Sequence, residues 1–289
     1  MPEANTLARA QDFIWRNARL LDRQRFRFLF AGGLGEAVLT ALSAYQNADG
    51  GFGNALEPDM RCPDSQPVAC EVALQVLDEA GIDGDLVQDL CDFLDTIATE
   101  EGGVPFVLPS VRAYPRAPWW ETDDHPPASI NPTAGIAGLL HKHGVRHGWL
   151  KRATEYCWST MAASPSEEVH ELAATIAFLQ YAPDRPRAEQ AFAPIGERIL
   201  ARGLVALDPS DTGYVKKPLD WAPSPDSLCR RLFSDGVIAA HLDGLAAAQA
   251  EDGGWPIAWP AVGTGGEMEW RGWVTVAALK TLKAYGRLR

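Results

Sequence analysis

The sequence predicts an all-helical fold, and two observations support that prediction. Apolar residues recur at steps of three and four along most of the 289 residues, which is the spacing that one buried face of an α-helix requires. The alternation of apolar and polar residues that marks a half-buried strand is lacking. Helix ends are also marked, because Pro67 and Pro132 suit a first turn and Gly81, Gly144 and Gly286 suit a last one.

About ten helices follow from this spacing. They are predicted at 7–21, 34–45, 67–80, 85–98, 132–143, 148–161, 167–181, 187–202, 235–248 and 269–285. The links after Ala80, Met161 and Tyr181 are short, so the flanking helices should form antiparallel hairpins. Four other links, at 52–66, 102–131, 212–227 and 255–268, are long and rich in proline, tryptophan and acidic residues.

One turn sequence occurs twice, with the pattern Gln-x-x-Asp-Gly-Gly-aromatic at 46–52 and at 249–255. Weaker copies begin at Gly102-Gly103 and at Thr212-Gly213-Tyr214. The chain is therefore predicted to be a repeat protein. A structural role is favoured for these turns, since glycine allows the tight backbone and an Asp side chain accepts backbone N–H bonds. Gln46 and Gln249 are expected to bond nearby helix ends.

Repeated hairpins whose long links gather at one end can wrap into an α/α toroid, in which one set of helices lines a central cavity. We predict a single domain of this kind over residues 1–289. It should contain about five to six antiparallel hairpins, either closed as a ring or open as a horseshoe.

Composition excludes several classes of protein. With 46% hydrophobic and 22% charged residues, the chain can bury a large core. A formal charge of −12 argues against a nucleic-acid partner, which needs clustered positive charge. No apolar run approaches the roughly 20 residues of a membrane span. Five widely spaced cysteines without a Cys-x-x-Cys motif are typical of reduced thiols in the cytoplasm, which is the expected location.

The repeated turn, together with the helix 274–282, resembles the repeat shared by squalene and oxidosqualene cyclases, class II terpene cyclases and protein prenyltransferase β-subunits. The resemblance is specific over 46–80 and 249–285 and degenerate elsewhere. It implies the α/α toroid and an apolar, isoprenoid-like ligand. It does not by itself imply the reaction, because one fold supports many reactions.

The motifs that fix the reaction in those families are missing. Prenyltransferases hold zinc with an Asp-x-Cys pair, and the nearest match here, Asp226 to Cys229, has the wrong spacing. Squalene cyclases carry the proton donor in an Asp-x-Asp-Asp segment, and the closest string here is Glu121 to Asp124. We therefore expect no metal and no cofactor.

Acidic and aromatic residues crowd the long links and form the predicted site. A carboxyl group beside buried aromatic surface has a raised pKa and can donate a proton, and tryptophan faces stabilise the cation that results. The candidate acids are Glu57 and Asp59 first, then Asp123 and Asp124. The candidate ligand contacts are Phe52, Trp119, Trp120, Trp221, Trp255, Trp259, Trp270 and Trp273. The predicted function is a metal-independent, class II terpene-cyclase-like isomerase or cyclase that acts on, or binds, an apolar isoprenoid.

Two alternatives use the same residues. Paired carboxylates and tryptophan faces also suit a carbohydrate-active enzyme, in which sugars stack on the rings. A toroid that binds a ligand or an unknown protein partner without catalysis is the other alternative, because the Asp-x-Asp-Asp acid is missing. For any single tryptophan a core position is favoured over ligand contact.

The segment Arg23 to Phe30 alternates arginines with apolar residues. One hypothesis is peripheral contact with an anionic membrane surface. The favoured alternative is that the segment packs as an edge of the toroid.

Overall fold

The computed structural model describes residues 2–81, 84–163 and 166–288, and they form an all-α fold. The helices are α1 (Pro2–Asn17), α2 (Leu20–Phe30), α3 (Gly35–Ser43), α4 (Pro67–Ala80), α5 (Gly84–Ile97), α6 (Ile130–Lys142), α7 (Gly148–Ala163), α8 (Val169–Tyr181), α9 (Arg185–Ala201), α10 (Pro218–Trp221), α11 (Asp235–Ala247) and α12 (Gly263–Ala284). Short 3-10 helices lie at Pro109–Ala113, Pro118–Trp120 and Leu228–Leu232. Extended pairing in these residues is limited to three isolated bridges. The all-helical prediction is confirmed.

Most helices lie within about two residues of their predicted bounds, and two regions differ more. The predicted helix 7–21 is divided at Ala18 and Arg19, and α2 follows over the arginine-rich segment. The division brings Ala18 against Gly272 of α12, where an added Cβ would lie 2.8 Å from the Cβ of Ala18. α12 begins at Gly263, six residues earlier than predicted. The predicted start was too late because three glycines lie near the beginning of this helix, and each lowers helix stability by about 1 kcal/mol.

The helices belong to two compact units, one made of Met1–Leu34 with Ala193–Arg289 and the other of Gly35–Phe192. In the first unit, α12 packs against α1, α2 and α11. In the second, α6 packs against α4, α7 and α8. The short link predicted after Tyr181 joins α8 to α9, whereas the links predicted after Ala80 and Met161 include residues 82–83 and 164–165, which lie outside the described residues.

Three turns share one hydrogen-bond pattern. In turn 47–51, the N–H of the first residue donates to the carbonyl of the last over 2.9 Å, and the N–H of the fourth donates to the carbonyl of the first over 3.0 Å. Turns 99–103 and 250–254 repeat both bonds at 2.8 to 2.9 Å. Turn 99–103, which is degenerate in sequence, is therefore a full copy in structure.

The two glycines of each turn pack directly on a helix. Gly50, Gly102 and Gly253 have φ of +85°, +93° and +94°. A Cβ on any of them would lie within 2.6 Å of the backbone of α5, α7 or α1, respectively. A Cβ on the second glycine of each turn would lie only 2.6 to 2.8 Å from an aromatic ring of the same helix. These contacts confirm the structural role of the turns. The weak copy at Gly213 lacks them, since nothing lies within 4 Å of an added Cβ there.

The Asp side chains of the turns accept backbone N–H bonds as predicted, whereas the glutamines bond to the turns themselves rather than to helix ends. Asp49 Oδ1 accepts from the N–H of Gly51 over 3.0 Å, and the corresponding bond in turn 250–254 measures 3.1 Å. Gln46 Nε2 donates to the carbonyl of Gly50 over 3.0 Å, and Gln249 Nε2 donates to that of Gly253 over 2.9 Å. Both glutamines therefore close the turn that follows them.

In the first unit, the beginning of the chain completes the last repeat. Gln249 Nε2 also donates to the carbonyl of Thr6 over 2.9 Å, and Arg9 Nη2 donates to the carbonyl of Ala250 over 2.6 Å. α1 therefore takes the place beside turn 250–254 that α7 takes beside turn 99–103.

Candidate functional site

A wholly buried loop carries the two acids predicted first. All five residues from Leu56 to Met60 are buried, with Glu57 4% and Asp59 1% exposed. Loops normally run over the surface, because their backbone groups need water or fixed partners. Asn54 and Ala55, just before the loop, have φ of +54° and +59°. Left-handed backbone in an alanine costs about 1 kcal/mol, and such strain is concentrated at functional sites.

The segment 104–121 holds this loop in place. The N–H of Ala117 donates to the carbonyl of Asp59, and the N–H of Arg61 donates to that of Pro115, each over 2.9 Å. The buried Gln66 adds two side-chain bonds, donating to Ser110 Oγ and accepting from the N–H of Leu108, each over 2.8 Å. The predicted acids therefore sit on a fixed backbone at the N-terminal end of α4.

Glu71, in the second turn of α4, is an acid that the sequence analysis missed. Its Oε1 fills the space beside Gly135 of α6, 1.9 Å from where a Cβ on that glycine would lie. Burial raises the pKa of the Glu71 carboxyl to about 7. Among the described residues, no cation forms an ion pair with it. The residue as a whole is half-buried, so the desolvation applies to its carboxyl end rather than to the whole side chain.

The polar stripe that begins at Glu71 continues along α4 through Gln75 to Asp78. Asp78 accepts from Lys142 Nζ over 2.9 Å and lies 2.7 Å from His143 Nε2. Burial works to lower the pKa of Lys142, but the hydrogen bond and charge of Asp78 outweigh it and raise that pKa. At the C-terminal end of α4, the negative charge of Asp78 is therefore compensated by Lys142. A negative charge on Glu71 would have no compensating cation among the described residues of the second unit.

Four of the predicted aromatic contacts are core residues. Phe52, Trp255, Trp221 and Trp120 are 0%, 3%, 5% and 6% exposed. Trp255 is also fixed by hydrogen bonds, because its Nε1 donates to the carbonyl of Leu245 over 2.8 Å and its backbone N–H donates to Thr275 Oγ1 over 3.0 Å. The core role that the sequence favoured for a single tryptophan fits these positions.

The other predicted tryptophans keep accessible surface. Trp259 lies between Tyr214 and Trp270, with centroid separations of 5.9 and 5.2 Å and interplanar angles of 83°. Trp119 is 42% exposed. One face of Trp273 is covered, because the Arg25 guanidinium lies 3.8 Å from its ring centroid. Trp119 is therefore the exposed member of the predicted set, and Trp259, Trp270 and Trp273 are half-buried.

Asp123 and Asp124 lie on the surface of the second unit. Asp124 Oδ1 accepts from Arg112 Nη2, and the Asp124 side chain is 75% exposed. Both acids therefore lack the burial that the predicted proton-donor role requires. Among residues 2–81, 84–163 and 166–288, no group of three or more His, Cys, Asp or Glu side chains is arranged to hold a metal ion.

One sequence feature concealed Glu71, and another could have identified it. Its spacing with Gln75 and Asp78 reads as the solvent side of an amphipathic helix, which concealed it. Gly135 and Gly138 of α6, however, interrupt an apolar helix, and such glycines commonly mark a close approach. Gly138 meets the carbonyl of Ala177 in α8, and Gly135 receives Glu71. The glycines of α6 therefore indicated that a side chain from a neighbouring helix packs closely at Gly135, and in the structure that side chain is Glu71.

Comparison with known proteins adds information about the fold only. No protein-family model matches the sequence. A search of curated proteins found no match either. Among solved structures, the chain is similar to the crystal structure of a protein from Actinoplanes, with a TM-score of 0.59, 17% identity, and coverage of 96% of this chain and 99% of that chain. The shared fold thus extends over nearly the whole sequence.

In the described residues, no helix is both long and apolar enough to cross a membrane.

Proposed function

We propose that this chain is an α/α toroid that holds an apolar, isoprenoid-like molecule and acts on it by metal-independent proton transfer, with Glu71 as the proton donor. The environment of Glu71 is the observation that carries the proposal. Its carboxyl is desolvated between α4 and Gly135 of α6, has a pKa of about 7 and has no ion-pair partner among the described residues of the second unit, while the residue as a whole is half-buried. A general acid is most effective when its pKa lies near the working pH.

The chemistry requires one proton to move from Glu71 to a carbon–carbon double bond. The carboxyl O–H bond breaks, a C–H bond forms, and the ligand becomes a carbocation beside the new carboxylate. The reaction closes when a neighbouring C–H proton returns to a carboxylate, which restores the charge balance. Glu57 and Asp59, fixed in the buried loop, are the second candidates for giving or accepting this proton.

An apolar ligand suits the accessible surface of the neighbouring helices. Val72 follows Glu71 on α4, and Leu139 lies one turn beyond Gly135 on α6, and both are half-buried. On α8, the half-buried positions Ala173 and Ala177 are small. Apolar, half-buried positions on these three helices favour a hydrocarbon ligand over a charged one.

Ligand capture tests this proposal. The purified protein and its Glu71→Gln variant are incubated with prenyl diphosphates, squalene and oligosaccharides, with and without EDTA, and what is retained or converted is identified by mass spectrometry. We expect an isoprenoid to be retained by both proteins and converted only by the wild type, regardless of EDTA. Equal conversion by the Gln variant would contradict the role of Glu71.

A carbohydrate-active enzyme is the second candidate, and the cluster of Tyr214, Trp259 and Trp270 favours it. The exposed ring of Tyr214 and the half-buried rings of Trp259 and Trp270 offer surfaces on which a sugar can stack. Retention of oligosaccharides in the same experiment, weakened by Trp259→Ala, would select this candidate. Retention without conversion in any class of ligand would select a binding protein.

A cytoplasmic location is also part of the proposal. The five cysteines are free and buried, as expected in a reducing compartment. Burial raises the pKa of Cys70, Cys91 and Cys229 to about 12, so these thiols stay protonated and unreactive. Cell fractionation tests the location directly, and recovery from a secreted fraction would contradict it.

A further inference from the structure

Positive charge is concentrated in two segments of the first unit. Residues 13–34 contain five basic and one acidic residue, and residues 270–289 contain five basic and no acidic residue. The whole chain has 26 basic and 38 acidic residues. α2 and α12, which carry most of these cations, pack against each other. A strongly acidic protein therefore has one distinctly basic region.

Part of this charge is structural. Asp22, the acid of the first segment, is fully buried and accepts hydrogen bonds from Arg19 Nε and Arg25 Nη1, each over 2.8 Å. Arg25 is 1% exposed and stacks on Trp273. Arg271 pairs with Asp252. These cations pack within the unit, in line with the alternative that the sequence favoured for the arginine-rich segment.

The cations at the ends of α2 and α12 are different, because they face solvent. Arg27 and Lys283 are exposed, and in the described residues neither forms an ion pair with a carboxylate. Lys283 Nζ donates to the carbonyl of Leu29 over 2.7 Å and lies 5.3 Å from the ring centroid of Phe30. The N–H of Gly33 donates to the carbonyl of Arg27, so the link after α2 folds back onto the end of that helix.

Apolar side chains accompany these cations. Phe28 and Phe30 are half-buried, and Leu34, at the end of the same link, is 72% exposed. We define the basic end patch as Arg27, Phe28, Phe30, Leu34 and Lys283. Accessible cations beside phenylalanine and leucine are the combination that membrane-surface segments use, since the charges attract anionic head groups and the apolar side chains enter the interface.

We propose that the basic end patch docks this protein on an anionic lipid surface. Charge complementarity identifies the partner. The protein has a formal charge of −12, so an anionic surface repels it as a whole and can approach it only at a basic region such as this patch. The exposed leucine and the phenylalanines favour a bilayer over a nucleic acid, which offers them no apolar phase. Docking is independent of Glu71, although an apolar ligand would also be most concentrated in a membrane.

Vesicle flotation tests the proposal with the full chain. Vesicles of phosphatidylcholine alone are compared with vesicles that contain phosphatidylglycerol, at low and high salt. The test variant is Arg27→Glu/Lys283→Glu. The matched control is Arg146→Glu/Lys151→Glu, which changes the net charge equally at two exposed positions of the second unit. Circular dichroism verifies that both variants are folded.

We expect the wild type and the control to float with anionic vesicles, and both to be released by salt. Each basic residue near such a surface contributes about fivefold to binding, so the test variant should bind at least about 25-fold more weakly. Equal binding to neutral vesicles, equal loss in the control, or binding to a single-stranded RNA in the absence of any vesicle binding would each overturn the proposal.

Discussion

Replacing Glu71 by glutamine should change the pH dependence of stability in a defined direction. Folding raises the pKa of this carboxyl from 4.5 to about 7, so the folded protein holds the proton more tightly than the unfolded chain. The resulting stabilisation is complete below about pH 4.5 and is lost as the pH rises through 7. Glutamine has nearly the same shape and stays neutral at every pH, so its effect isolates the ionisation.

The expected magnitude follows from the same two values. A pKa of about 7 in place of 4.5 corresponds to about 3 kcal/mol at high pH. This is an upper bound, because the accessible part of the Glu71 side chain remains hydrated. Relative to the wild type, Glu71→Gln should therefore gain up to about 3 kcal/mol of unfolding free energy above pH 8 and little below pH 4.5.

Urea unfolding of both proteins between pH 4.5 and 9 measures this difference. Subtracting one curve from the other removes the contributions of the histidines and the other acids, which the two proteins share. Asp124→Asn is the control, since it makes the same acid-to-amide type of change at an exposed surface position. A difference that stays flat with pH, or that favours the wild type at high pH, would refute the interpretation of Glu71 as a desolvated acid.

Three further predictions concern glycines and tryptophans. Gly102→Ala should lower the free energy of unfolding by at least about 3 kcal/mol, because the φ of Gly102 is +93° and a Cβ would meet the backbone of α7. Gly144→Ala, where a Cβ would enter open space, should lower it by about 1 kcal/mol. Urea unfolding compares the two variants, and equal losses would contradict the packing of the turn. Trp149→Phe should lower the free energy of unfolding by about 2 kcal/mol more than Trp120→Phe does. The reason is that Nε1 of Trp149 donates to the carbonyl of Gly102 over 3.1 Å, whereas Nε1 of Trp120 has no hydrogen-bond partner among the described residues. Thermal unfolding tests this order, and the reverse order would refute it. Gly135→Ala should push the α4 carboxyl outward into water and lower its pKa, which carbon-13 NMR titration measures; an unchanged midpoint would show that the glycine does not set it.

Local sequence rules predicted most of the helices because their apolar spacing and terminal residues agree. The repeated turns could be predicted equally well from the sequence, since only glycine readily adopts the positive φ of Gly50 and Gly253. α2 was missed, because its arginines obscure the apolar spacing and its burial depends on Trp273, which is distant in the sequence. Propensity cannot anticipate such a partner.

The site was predicted less completely, for a related reason. A stiff loop with Glu57 and Asp59 could be read from Pro58 and the preceding turn, and the loop is buried. The importance of Glu71 depends on Gly135 of another helix, which only the packing reveals. The sequence also could not separate the buried tryptophans from the accessible ones, because both kinds occur on the same long links.

Deuterium transfer is the measurement that tests the central claim most directly. The protein is incubated in heavy water with the isoprenoid that it retains, in the presence of EDTA, and the product is analysed by mass spectrometry. A proton donated by Glu71 predicts solvent-derived deuterium bound to carbon in the wild-type product and none with Glu71→Gln, although the variant still binds the ligand. Product without deuterium, or equal labelling by the variant, would contradict the account.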